Sequence, residues 1–113
     1  MRYMSIYKAV ETGRPPTQEE MDRMGALIEK TMKSGALIST GGLLPSATGA
    51  RVRLSNGKIT VTDGPFTESK EIIGGFAILE AASKEAAIEM AEEFLHVAGE
   101  GVCEVRPLHM GPV

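Results

Sequence analysis

The chain has 113 residues, of which 42% are hydrophobic and 24% charged, with a net charge of -3. That suffices for one domain spanning residues 1–113, burying roughly two-thirds of its unfolded surface. The acidic balance and the absence of Trp argue against direct nucleic-acid binding or attraction to an anionic membrane. No stretch approaches the roughly 20 apolar residues of a membrane-spanning helix. Met1 to Val10 lacks the apolar core of a signal peptide. The lone Cys103 permits no internal disulfide, so a reducing cytoplasm is the expected setting.

Tyr3 to Val10 reads as a first strand, apolar on both faces and therefore interior. Gly13, Pro15 and Pro16 break it. Thr17 and Glu20 then form a capping box that opens a helix with Met21, Met24, Leu27, Ile28 and Met32 on one stripe. That stripe is expected to be core. Glu19/Arg23 and Glu29/Lys33 stand four apart with the acid first, and Gly35 supplies a left-handed stop. Ala36 to Leu44 is a second strand, with a bulge or bend expected at Gly41-Gly42 and an end at Pro45.

Asn56-Gly57 is a two-residue hairpin turn between Arg51–Ser55 and Lys58–Thr62. Its register pairs Ser55 with Lys58, Leu54 with Ile59, Arg53 with Thr60 and Val52 with Val61. Val52, Leu54, Ile59 and Val61 thereby share one face, and Arg51 and Arg53 fall on the other, expected to be solvated. Asp63 has the parity of Ile59 and Val61, which aims a carboxylate toward the apolar side.

Asp63 to Glu71 is a polar connector crossing Gly64-Pro65, and Ile72 to Ala81 is the most apolar strand. Gly74-Gly75 inside that strand mark a bulge or a close backbone approach. Ser83 caps a second helix that buries Ala87, Ile88, Ala91, Phe94, Leu95 and Ala98 and ends at Gly99. Val102 to His109 is the last strand. The order resembles an α+β ferredoxin-like split β-α-β fold with an inserted hairpin. Two helices cover one face of such a sheet; the other calls for a partner, most simply a second copy in a symmetric homodimer.

The run Asp63-Gly64-Pro65-Phe66-Thr67-Glu68-Ser69-Lys70-Glu71, followed by Gly74-Gly75-Phe76, resembles the signature of the DGPF branch of the YCII-related family. The opening Arg2-Tyr3-Met4, with Ile6-Tyr7, and Glu104-Val105-Arg106-Pro107-Leu108 match it too. The resemblance implies a dimeric α+β barrel in which two ferredoxin-like protomers enclose a cavity between their sheets. Some relatives in that superfamily are isomerases or monooxygenases. A His-Asp pair is the proposed centre in some members; this chain has no His before His96. Members of the branch are also associated with alternative sigma factors, which implies a regulatory alternative acting through a protein partner.

Asp63 is the candidate catalytic residue, a general acid or base on a small polar or anionic metabolite. The bland alternative is an Asx turn closing on its own backbone. Tyr3, Tyr7, Gly64, Pro65, Phe66, Glu68, Lys70, Gly74, Gly75 and Arg106 are the candidate binding residues. Phe66 reads otherwise as a ring anchored against the core, and Glu68 and Lys70 as solvated or rim ion pairs. Arg106 suits an anionic ligand or a cross-sheet pair. No cofactor is implied, and Cys103 and His109 stand roughly 20 Å apart along a strand, too far to share a metal. A third alternative gives the motif a purely structural role, locking the dimer.

Overall fold

The computed structural model describes residues 1–109. Six strands and two helices follow in the order β1 (Arg2–Ala9), α1 (Gln18–Lys33), β2 (Leu37–Gly42), β3 (Ala50–Ser55), β4 (Lys58–Asp63), β5 (Ile72–Glu80), α2 (Lys84–Ala98) and β6 (Val102–Pro107). The main sheet runs β2-β5-β1-β6 with every neighbouring pair antiparallel. This is the ferredoxin-like arrangement. β3 and β4 pair only with each other.

Local chemistry sets the ends of the elements. The Thr17 hydroxyl accepts from the Glu20 amide at 3.1 Å while the Glu20 carboxylate accepts from the Thr17 amide at 3.4 Å, completing the capping box. Gly35 follows α1 at φ 82°, and Gly99 ends α2 at φ 98°. The Ser83 hydroxyl accepts from the Ala86 amide at 3.1 Å. The hairpin turn places Asn56 at φ 52° and Gly57 at φ 75°, the double left-handed geometry that matches strand twist. Its register is the expected one, extended to Arg51 opposite Thr62 and Ala50 opposite Asp63.

Both helices lie on the face of the sheet that carries Tyr3, Leu37, Ala77, Leu79 and Val105, where Tyr3 and Leu79 are each 4% exposed and Ala87 is fully enclosed. The opposite face carries Met4, Ile6, Phe76 and Ile78 by register, all half-buried, and no element of the described chain covers it. The Cα atoms span 45 × 39 × 19 Å, a slab one sheet and one helix layer thick.

Two expectations are corrected and a third holds. The Met stripe of α1 is not a buried core: no residue of this helix is fully buried, and Met21 and Met32 at its ends are exposed. The helix packs on α2 and on the edge strand β2, and of the stripe only Met24, Leu27 and Ile28 turn partly inward. The bulge in β2 lies between Leu37 and Ser39 rather than at Gly41-Gly42. Gly41 is needed for another reason, since a Cβ there would sit 2.8 Å from the Phe76 ring. The bulge expected in β5 is real: the register against β1 shifts between Tyr7 and Lys8, skipping Gly74.

Candidate functional site

The motif Asp63–Glu71 packs on a segment that sequence reasoning left blank, a single turn of 3-10 helix at Ser46–Thr48. The Glu11 carboxylate accepts from the Ser46 amide at 3.1 Å, and the Ser46 hydroxyl accepts from the Phe66 amide at 3.3 Å. Gly64 donates its amide to the Gly49 carbonyl at 2.9 Å. A Cβ on Gly64 would fall 1.7 Å from the Ser46 carbonyl oxygen, so only glycine lets the two backbones meet. The Gly64-Pro65 peptide is cis.

Arg51 closes the other side of the loop. Its guanidinium lies 4.0 Å from the centre of the Phe66 ring, donates to the Ser69 hydroxyl at 3.0 Å and pairs with Glu68. Arg51 is therefore not simply solvated. Phe66 is not anchored against the main core; its ring is half-buried beneath a cation. Hydrogen bonding from the Glu68 backbone amide, and then from Arg51, holds the exposed Glu68 carboxyl below the usual range. A shallow cavity of about 640 Å³ lies between this loop and the end of β1, lined by Glu11, Ser46, Pro65, Phe66 and Lys70 among others.

Asp63 ends β4 on the apolar side of the hairpin, as its parity requires, and is exposed. It lines neither this cavity nor the one described next. An Asx turn onto the residue two positions on cannot form, because that residue is Pro65 and has no N–H.

The second cavity is a cleft of about 520 Å³ between the helix layer and the sheet. Met24, Leu27 and Ile28 of α1 form one wall, Met90 and Phe94 of α2 another, and the floor is the sheet around Gly74-Gly75. Tyr7 stands at its side, with its ring edge-to-face on Phe94 at 5.2 Å between centroids. Gly101 admits that ring, since a Cβ there would lie 2.6 Å from it. The Tyr7 hydroxyl donates to the Glu100 carbonyl at 3.1 Å. Burial, with the Cys103 sulfur beside it, pushes the phenol pKa up, so Tyr7 is a neutral hydrogen-bonding group and not a base. Burial also pushes the Cys103 thiol up, partly offset by a hydrogen bond with Ser5.

Two other cleft hydroxyls are also committed as donors. Thr40 donates to the Phe76 carbonyl at 2.9 Å and Thr31 to the Leu27 carbonyl at 2.7 Å. Each hydroxyl has one proton and two lone pairs, so what remains for a ligand is acceptor capacity. Glu93, at the rim, is bound to Lys30 across the two helices.

The structure thus separates the candidate residues into groups. Tyr7, Gly74 and Gly75 meet at the helix-side cleft, whereas Pro65, Phe66 and Lys70 line the motif cavity and Glu68 closes on Arg51. Tyr3 is buried in the core. Arg106 lies on the uncovered sheet face, 3.6 Å from Glu104. Sequence reasoning missed the cleft walls Met24, Leu27, Ile28 and Phe94. Their helical stripe was visible, but a stripe does not reveal whether its neighbours leave a gap. Among the described residues no cluster of His, Cys, Asp and Glu could hold a metal ion, and no helix is long and apolar enough to cross a membrane.

Comparison with known proteins supports both fold and kinship. The 5-chloro-2-hydroxyhydroquinone dehydrochlorinase TftG from Burkholderia phenoliruptrix AC1100, solved with 2,5-dihydroxybenzoquinone, superposes with a TM-score of 0.56 at 19% identity, over 98% of this chain and 96% of that one. That likeness is one of fold, consistent with an α+β barrel architecture. An uncharacterised protein of Rhizobium meliloti (strain 1021), R00369, is 34% identical over 97 residues, 81% of this chain and 78% of its own. The model of the YCII-related domain matches residues 1–109. With the fold, the relative and the domain match in agreement, the chain belongs to the YCII-related family.

Proposed function

We propose that the protein binds a small molecule in the helix-side cleft, and that its ligand is a compact ring bearing hydrogen-bond donors. The cleft itself carries this reading. About 520 Å³ lined mainly by aliphatic and aromatic side chains is the size and character of a ligand pocket. The Phe94 and Tyr7 rings suit a flat molecule. The hydroxyls of Tyr7, Thr31 and Thr40, already donating to carbonyls, suit ligand hydroxyl groups. The ligand of TftG, a dihydroxylated ring, is a sensible first probe.

The test is thermal melting with dihydroxylated quinones and benzenes. At a hundredfold excess over Kd a true ligand stabilises by about 2.7 kcal/mol, and its dimethoxy analogue, lacking donors, gives no shift. Leu27→Trp, which fills the cleft from its partly open wall, removes the shift while leaving the fold intact. Equal shifts for wild type and Leu27→Trp would sink the reading.

A second reading makes the protein an enzyme, with Asp63 as general acid or base on a small polar or anionic metabolite. Its support is the carboxylate's place on the apolar side of the hairpin. Turnover unchanged in Asp63→Asn would end it. Both readings take the uncovered sheet face as the seat of a second copy and the cytoplasm as the setting. The nine-residue motif supports the DGPF branch within the family.

A further inference from the structure

We infer that the β3–β4 hairpin is an arm that clasps a second copy of this chain, its Asp63 carboxylate pairing with Arg106 of the partner subunit. The hairpin is a two-stranded sheet on its own, and such ribbons are marginal in water without something to pack on. Val52, Leu54, Ile59 and Val61, all on one face, are 61% to 69% exposed. A contiguous apolar patch of this kind marks an interaction surface.

Its base is anchored. Arg51, on the opposite face, is tied to Phe66, Glu68 and Ser69 of its own protomer. At the base of the hairpin the polar side therefore faces the motif loop and the apolar side faces away from it, with the residues of both strands exposed.

The chain carries a second surface of matching character. The uncovered face of the main sheet presents Met4, Ile6, Phe76 and Ile78 at its centre, with exposed Ile73 and Val102 on the same face by register. Charge is complementary as well. On that face Lys8 and Arg106 both approach one carboxylate, Glu104, at 3.1 and 3.6 Å. Lys8 holds the closer place, leaving Arg106 an outlying cation near the β6 edge. The hairpin brings one anion, Asp63, on its apolar side. Each copy supplies one arm and one face, so a two-fold pair satisfies both and leaves nothing for a third copy. This selects a second copy over a foreign partner.

The inference rests on the dimeric reading, and the test separates the two. Sedimentation equilibrium gives the dissociation constant of wild type, of Leu54→Lys, of Asp63→Arg, of Arg106→Asp and of the charge-swapped double variant. The expected result is a wild-type dimer weakened about tenfold or more by each single variant, with affinity restored in the double swap. All three sites are exposed, and unchanged circular dichroism of the variants confirms that folding is not the cause. A monomeric wild type overturns the dimeric reading itself. A wild-type dimer indifferent to Leu54→Lys and Asp63→Arg overturns only the arm, as does a double swap no tighter than its parents.

Discussion

The helix-covered face of the sheet and the outer face of the hairpin are each made of alternate residues along their strands, and each gathers large apolar side chains. One holds Tyr3 and Leu79 at 4% exposure; the other leaves Leu54 at 69%. The covering elements make the difference. On the sheet, α2 supplies Ala87 and Met90 to complete a core; on the hairpin, no element of the described chain arrives. Alternation thus reports which residues share a face, while burial depends on a second element that alternation says nothing about.

The comparison can be broken directly. Leu79→Ala is expected to cost about 2–5 kcal/mol, as for other buried large-to-small changes. Leu54→Ala, measured by urea denaturation at concentrations that keep the chain monomeric, should lie within about 0.5 kcal/mol of wild type. Similar losses at both sites would mean that the hairpin face is buried within its own protomer. Next in size is Gly64→Ala. Its Cβ would meet the Ser46 carbonyl at 1.7 Å, and the forced separation of loop and 3-10 turn should cost about 1–3 kcal/mol. Gly49→Ala, whose Cβ meets the same carbonyl at an ordinary 3.6 Å, serves as control and should cost much less.

The smallest effect concerns acid. The Thr17 hydroxyl and amide lower the Glu20 pKa, the chain amino group lowers that of Glu80, and Lys8 lowers that of Glu104. A folded pKa below the unfolded one means that the native state binds fewer protons across that window. These pairs therefore stabilise the fold above the unfolded Glu value, and the benefit is lost as pH falls through the lowered folded values. Each is solvent-screened, so each effect is modest. Urea midpoints measured from neutral pH to pH 3 should fall less steeply in Glu104→Gln than in wild type. An identical slope would show that the Lys8 pair contributes nothing.

Much of the hairpin could be read before any coordinates, because Asn56-Gly57 fixes the turn and a period of two does the rest. Asp63 was correctly placed on the apolar side for the same reason. The functional reading was less legible. Arg51 is separated from Glu68 by 17 positions, and no local pattern marks that pair. Gly64 was legible as a turn residue but not as a contact, since its neighbour Ser46 lies 18 positions earlier in the chain. The cleft was invisible because it is a space between two elements, set by how far α1 stands from the sheet.

By itself the sequence determined the element order, the caps at Thr17 and Ser83, the stops at Gly35 and Gly99, and the hairpin register. Each is a contest between neighbours along the chain, settled by hydrogen-bond donors, acceptors and allowed φ. Only the tertiary structure decided that the α1 stripe would line a cleft, that Arg51 would clamp the motif loop, and that two apolar faces would stay open. Those outcomes depend on distances between elements, which are set by packing of side chains far apart in sequence.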